Sequence, residues 1–137
     1  MATATILGGG VAALAAGHFA PLRAQEMSVM SPFPLVRVSV LRCAPDRFAA
    51  LRQDMAEAEA VLAPGIRAMR GCLAYFAGAD EASSSLTNVS IWETLEDAKQ
   101  MERFQPMLDL GKRFTEAGAT FDRPIMNYAP LWQFGQK

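Results

Sequence analysis

Histidine is almost missing from this sequence: the single imidazole, His18, lies within the first 25 residues. A domain that begins after that segment has no histidine to ligate a metal or to act as a general base. The only two cysteines, Cys43 and Cys72, form neither a CxxC pair nor a disulfide framework. We therefore expect no metal site and no cofactor, and we interpret both cysteines as small buried residues.

An excess of charge of one sign is also lacking. Thirteen Lys and Arg stand against fourteen Asp and Glu, and they do not cluster as a binder of phosphates requires. Nucleic acid is therefore not an expected partner. There is also no glycine-rich dinucleotide fingerprint between a strand and a helix, no P-loop lysine and no GxSxG elbow, which speaks against nucleotide cofactors and serine hydrolysis.

Long hydrophobic runs are missing as well. The longest apolar run, Ile6 to Gly17, consists of Gly, Ala, Val, Leu and Ile and is too short to span a bilayer. It is followed by Ala24, a small residue suited to the last position before a signal-peptidase cut. However, no Lys or Arg precedes Arg23, so the basic region that orients an export signal is missing.

The chain therefore divides into three parts. Residues 1–25 are interpreted as a signal peptide, of twin-arginine or Sec type, or as an N-terminal arm, and 26–34 as a linker. Residues 35–134 form the expected single domain. A cleaved signal predicts a periplasmic or secreted protein with no integral membrane segment in the mature chain, whereas an arm predicts a cytoplasmic one.

Hydrophobic periodicity within the domain predicts the order β-α-β-β-α-β. Alternation predicts strands at 35–43, 71–78, around 87–92 and at 123–132. Steps of three and four predict a helix over 45–62, which Pro64 and Gly65 end, and a second helical run from Leu95 to about Gly118 that is broken near Gln105 and Pro106. Thr94 and Asp97 have capping-box spacing at its start. The prediction is an α+β, ferredoxin-like fold with a four-stranded antiparallel sheet and helices on one face.

The third strand has two different sides. We expect its more apolar side to face the helices; this side carries Thr87, Val89 and Ile91. The other side carries Asn88, Ser90 and Trp92, which Arg37 and Ser39 of the first strand would join. Since apolar and aromatic residues fall on both faces of the sheet, a monomer would leave a large exposed patch. We therefore predict a homodimer packed sheet to sheet as a barrel, with the polar side of the third strand in its interior.

Three segments carry a resemblance to a known family: APGIRAMRGCLAY, SLTNVSIWETLEDAKQM and PIMNYAPLW. They hold a Pro-Gly turn before a Gly-led strand, a strand that ends in Trp-Glu before an acidic helix start, and a final strand. In these features the chain resembles the antibiotic biosynthesis monooxygenase (ABM) family of dimeric α+β barrels, roughly from Leu35 to Trp132. The superfamily includes cofactor-free oxygenases, haem-degrading enzymes and isomerases, so the resemblance implies the barrel more strongly than one reaction.

The resemblance implies a cofactor-independent monooxygenase acting on a small aromatic, quinol or polyketide-like compound. The alternative is a non-enzymatic dimeric barrel that binds a small molecule or has a stress-related role. The helix after the Trp often carries a His in this family, whereas this chain has Lys99 to Arg103 there, and the first-strand Asn of the haem-degrading branch is absent. Haem chemistry is therefore not expected.

Polar groups beside an aromatic wall suit a planar aromatic ligand. The expected catalytic residues are Arg37, Asn88 and Trp92, which would supply hydrogen bonds to a substrate anion. The expected substrate-binding residues are Ser39, Tyr75, Ser90, Met101 and Tyr128. The sequence does not single out a general base among Glu93, Asp122 and Tyr128.

Overall fold

The computed structural model describes residues 33–135, which form one antiparallel sheet with helices against one face. The strands are Leu35–Arg42 (β1), Cys72–Asp80 (β2), Ser85–Trp92 (β3), Thr120–Phe121 (β4) and Met126–Tyr128 (β5). The helices are Pro45–Glu57 (α1), Glu59–Arg67 (α2), Leu95–Ala98 (α3) and Gln105–Glu116 (α4), with a 3-10 helix at Lys99–Arg103 between the last two. This arrangement confirms the α+β, ferredoxin-like fold, and the sheet of the single chain is not closed.

The order of strands across the sheet is β2-β3-β1-β4, and β5 also pairs with β1. β1 pairs with β3 along its whole length, from Leu35 opposite Trp92 to Arg42 opposite Ser85. β1 is therefore the central strand, and its side chains lie between those of β3 and those of the C-terminal strands.

The last predicted strand, 123–132, is shorter than expected and is divided. β4 pairs with the end of β1, and β5 pairs with its beginning, where Tyr128 lies opposite Val36. Between them lies Pro124, which has no N–H to donate to a strand ladder. Pairing ends at Tyr128, so Trp132 lies beyond the sheet and is 74% exposed.

The first helical stripe is buried as predicted, but the helix does not end where expected. Phe48, Leu51 and Met55 are buried on α1. After a break at Ala58, α2 continues through Pro64 to Arg67 and buries Leu62 and Ile66. Pro64 removes one helical hydrogen bond, but burial of two large apolar side chains one turn apart offsets that cost.

Gly65 likewise serves packing and not helix termination. The ring of Phe104 lies against it, and a Cβ added at Gly65 would come within 2.7 Å of Phe104 Cε1. α2 therefore needs a residue without a side chain at the point where the segment before α4 crosses it.

The helices cover the face of the sheet opposite to the one we predicted. Leu41, Leu86 and Trp92 are at most 2% exposed and lie in one core with the α1 side chains. Thr87, Val89 and Ile91 alternate with them on β3 and so point to the uncovered face. Both sides of β3 carry apolar residues, so alternation located the strand without indicating which side the helices cover.

A polar cluster joins the loop before β2 to the start of α3. Thr94 Oγ1 accepts a hydrogen bond from Asp97 N at 3.1 Å, as the predicted cap requires. The buried Asp97 carboxylate accepts from Arg70 Nε at 2.7 Å, and this bond lowers the pKa of Asp97. Gln100 Nε2 donates to the Arg70 carbonyl at 2.7 Å. These bonds fix the Arg70–Gly71 corner against α3.

No helix within residues 33–135 is long and apolar enough to cross a membrane. The predicted signal peptide or arm (1–25) and most of the predicted linker (26–34) lie outside the described residues.

Candidate functional site

A polar row crosses the helix-covered face of the sheet. Arg37 of β1 lies opposite Ser90 of β3 on one side and Asn127 of β5 on the other. Tyr75 of β2 lies opposite Ser90 and extends the row. Asn88 lies two residues before Ser90 on β3, so it is next to this row on the same face of the sheet. Four strands thus bring hydrogen-bonding groups to the side of the sheet that the helices cover.

A cavity of about 620 Å³ lies between this row and the helices. Arg37, Asn88 and Tyr75 form part of its sheet wall. Its apolar walls come from α1, the 3-10 helix, α4 and β4, and include Met55, Met101, Met107, Leu110, Phe114 and Phe121. The volume and the mostly apolar lining suit a small planar molecule. This cavity therefore lies within one chain on the helix side of the sheet, whereas we predicted a site in the interior of a sheet-to-sheet barrel.

Arg37 is a buried cation without a carboxylate partner among the described residues. Arg37 is only 6% exposed. Its guanidinium makes a single side-chain hydrogen bond, in which Nη1 donates to Asn127 Oδ1 at 3.1 Å. Desolvation lowers the pKa of the guanidinium, while the nearby Glu102 raises it. An arginine remains charged under these conditions, so Arg37 brings a positive charge and unused donors to the cavity.

The amide of Asn88 has no protein partner in the part of the chain that the structure describes. Its Oδ1 atom is buried and accepts no hydrogen bond. Buried polar atoms are almost always paired, so an unpaired amide that lines a cavity is a typical ligand contact.

Tyr75 separates the first cavity from a second one of about 700 Å³ between α1, α2 and β2. Tyr75, Met55 and Asn88 line both cavities. Burial raises the pKa of the Tyr75 phenol well above its ordinary value, an effect that Arg37 opposes. The phenol is therefore protonated at neutral pH and can donate a hydrogen bond.

The other predicted site residues are divided between the cavity and the rest of the fold. Ser39, Ser90 and Met101 line the first cavity. Trp92 is 0% exposed, lies in the core, and donates from Nε1 to Ser90 Oγ at 2.8 Å. Tyr128 lies on the uncovered face and is 51% exposed. Trp92 and Tyr128 are therefore not in the cavity wall.

The structure also separates the possible bases. Asp122 pairs with Arg42 through contacts of 3.0–3.2 Å on the exposed surface. Glu93 is exposed and does not line the cavity. Glu102, which sequence reasoning missed, is the only carboxylate among the lining residues. The only indication of Glu102 in the sequence was its position directly after Met101, a predicted substrate-binding residue.

Within residues 33–135, no three His, Cys, Asp or Glu side chains come together as candidate metal ligands. The two cysteines are free thiols. Cys43 Sγ donates to the Ser84 carbonyl at 3.5 Å, and Cys72 lines the second cavity, where burial raises its pKa. The polar groups that line the first cavity are two guanidinium groups, one ammonium group, amides, hydroxyls and one carboxylate.

The architecture defines a class of protein: small α+β chains with a ferredoxin-like antiparallel sheet and a largely apolar cavity between sheet and helices. Among solved structures this is the fold of the antibiotic biosynthesis monooxygenases.

A Deinococcus radiodurans protein assigned to these monooxygenases matches 75% of this chain and 98% of its own, with 16% identity and a TM-score of 0.58. Rv0793 from Mycobacterium tuberculosis matches 74% of this chain and 99% of its own, with 21% identity and a TM-score of 0.55. SnoaB, a cofactor-independent oxygenase from Streptomyces nogalater, matches 75% and 98%, with 10% identity and a TM-score of 0.51. The predicted resemblance is thus confirmed as a shared fold. No protein-family model and no curated protein matches the sequence.

Proposed function

We propose that the protein is a cofactor-independent monooxygenase that acts on a small aromatic, quinol or polyketide-like compound in the first cavity. One observation carries the proposal: the buried Arg37 guanidinium, which forms no ion pair within residues 33–135, and the Asn88 amide, whose Oδ1 has no partner there, line the same largely apolar cavity. The Arg37 guanidinium can stabilise an oxyanion in this water-excluding site, while Asn88 Oδ1 can accept a hydrogen bond from a substrate hydroxyl. The fold that the chain shares with SnoaB supports this class of chemistry.

The reaction requires an electron-rich substrate anion. Removal of a proton from an activated CH₂ or phenol gives an enolate or phenolate, which transfers an electron to O₂. The resulting radical pair combines to a hydroperoxide, and loss of water leaves a carbonyl, so that CH₂ and O₂ become C=O and H₂O. The Arg37 guanidinium, the Nδ2–H groups of Asn88 and the Tyr75 hydroxyl donate hydrogen bonds to the anion, and Asn88 Oδ1 accepts one from a substrate O–H group.

Glu102 is the group that we assign to the proton transfer. It is the only carboxylate that lines the cavity, and it lies close enough to Arg37 to raise the pKa of that guanidinium. A carboxylate at the edge of the cavity can accept the substrate proton and release it to solvent.

The proposal predicts oxygen uptake by chelator-treated protein with one or more compounds from a panel of anthrones, quinols and catechols. Arg37→Gln should lower the rate at least about 100-fold, since it removes the charge that stabilises the anion. Trp92→Phe is the matched control, because Trp92 lies outside the cavity wall. Its oxygen uptake should stay within a few fold of the wild-type rate.

Circular dichroism verifies that both variants are folded before the rates are compared. No oxygen uptake across the panel, together with saturable binding of the same compounds, would contradict the oxygenase and establish the binding protein instead. A wild-type rate in Arg37→Gln would move the reaction out of this cavity.

We further propose that the chain forms a homodimer through the uncovered face of its sheet. Val38 and Val89 lie opposite each other at the centre of this face. Around them, Phe76, Met126 and Tyr128 are 57%, 45% and 51% exposed. A continuous apolar patch of this kind on a sheet is typical of an interface, and a second copy offers the same surface by symmetry.

Val89→Lys should convert the dimer to a monomer, because two lysines would meet at the centre of a dry interface. Light scattering after size exclusion measures the mass. Val61→Lys is the control: Val61 is 68% exposed on α2, away from this face. A wild-type protein that is monomeric at micromolar concentration, or a Val89→Lys dimer, would contradict the proposed interface.

A further inference from the structure

The cavity carries more positive charge than the chain as a whole. Its lining contains Arg37, Lys112 and Arg123 and only one carboxylate, Glu102, whereas the whole chain has a formal net charge of −1. Arg37 lies in the sheet wall, while Lys112 comes from α4 and Arg123 from the segment between β4 and β5. Two of the cations are thus contributed by elements other than β1 and β3, the strands that carry Arg37 and Asn88.

No carboxylate in the described part of the chain forms an ion pair with Arg123 or Lys112. Asp122, the neighbour of Arg123, is held by Arg42 in a two-oxygen contact of 3.0–3.2 Å. Neither Arg123 nor Lys112 takes part in any of the ion pairs found within residues 33–135. No ion pair within residues 33–135 therefore neutralises these two cations.

The Phe121 ring contacts Arg123 and also α4, the helix that carries Lys112. The Arg123 guanidinium lies 4.9 Å from the centroid of the Phe121 ring, a cation–π distance that orients it. The same ring packs against α4, since a Cβ added at Gly111 would lie 3.8 Å from Phe121 Cζ. Gly111 directly precedes Lys112, and Lys112, Phe121 and Arg123 all line the cavity.

We propose that the substrate is an aromatic acid, whose carboxylate binds between Lys112 and Arg123 while its oxidisable ring reaches Arg37 and Asn88. The inference rests on the proposed function for the choice of site, but it concerns binding and does not require turnover. Two exposed cations that act together on one carboxylate increase affinity through charge-assisted hydrogen bonds, which salt weakens.

The test compares anthracene-2-carboxylate with anthracene-2-carboxamide, two probes of the same shape that differ in charge. Fluorescence titration in low salt should show that the acid binds at least about 10-fold more tightly than the amide to wild-type protein. The double variant Lys112→Gln/Arg123→Gln should bind the two probes equally, and each single variant should lose part of the preference. Both side chains are exposed, so these variants should fold.

Arg113→Gln provides the matched control, since Arg113 is an exposed arginine next to Lys112 that does not line the cavity. It should keep the full preference. Equal binding of acid and amide to the wild type, binding of neither probe, or a preference that persists in the double variant would overturn the proposal. A preference for the acid without oxygen uptake would support it while contradicting the oxygenase.

Discussion

Replacing Gly71 with Ala is expected to lower the free energy of unfolding by about 3 kcal/mol. Two effects add at this position. The backbone of Gly71 has φ +74, a conformation that costs an Ala about 1 kcal/mol. In addition, the new Cβ would overlap the Asp97 carboxylate. Since Asp97 is buried and its Oδ1 is bonded to Arg70, it cannot move aside without breaking the cluster before α3.

Alanine variants of two other glycines separate the backbone cost from the overlap with Asp97. The free energy of unfolding of each variant is measured by urea denaturation followed by circular dichroism. Gly118 has φ +98 and nothing within 4 Å of an added Cβ, so Gly118→Ala reports the backbone cost alone, about 1 kcal/mol. Gly78→Ala makes an ordinary contact of 3.5 Å with Thr87 and should change stability by less than about 0.5 kcal/mol. A loss for Gly71→Ala no larger than that for Gly118→Ala would refute the proposed overlap with Asp97.

Asn88→Leu is expected to decrease turnover about 100-fold while leaving the protein as stable as the wild type or about 1 kcal/mol more stable. Asn88 Oδ1 is buried without a partner, so it contributes no hydrogen bond to the stability of the folded protein. A bound substrate, in contrast, can form a hydrogen bond with it. A loss of function without a loss of stability is the signature of a residue retained for its ligand. The rate is measured as oxygen uptake with the compound that the wild type oxidises fastest.

Two neighbouring variants provide the comparison. Ser90→Ala leaves Trp92 Nε1 buried without its acceptor, and should lower the free energy of unfolding by about 2 kcal/mol. Thr87→Val changes the adjacent residue on the uncovered face, where turnover should not change. If Asn88→Leu destabilised the protein as much as Ser90→Ala does, Asn88 would be a structural residue.

The sequence predicts the elements well because periodicity reports local geometry. The stripe from Phe48 to Leu62 and the cap at Thr94 are found in the structure as expected. Pro64 is different, because burial of Leu62 and Ile66 depends on tertiary contacts that a local breaker signal cannot include. The choice of face on β3 was wrong for a related reason: both of its sides are apolar, and only the packed helices distinguish them.

The candidate site was predicted in part. Arg37, Ser39, Tyr75, Asn88, Ser90 and Met101 line the cavity, but Trp92 and Tyr128 do not. The sequence could not place Glu102, Lys112 or Arg123 there, because these residues reach the cavity from a 3-10 helix, from α4 and from an irregular segment. Only the strand residues follow from register, and the others depend on how the helices are docked.

The partition formed by Met55 and Tyr75 gives this scaffold room to change its substrate range. Both side chains line both cavities, so shortening either one would extend the binding site toward β2 and leave Arg37 in place. Larger ring systems could then be accommodated by changes that do not touch the charged groups. For directed evolution, these two positions offer a way to alter selectivity separately from reactivity.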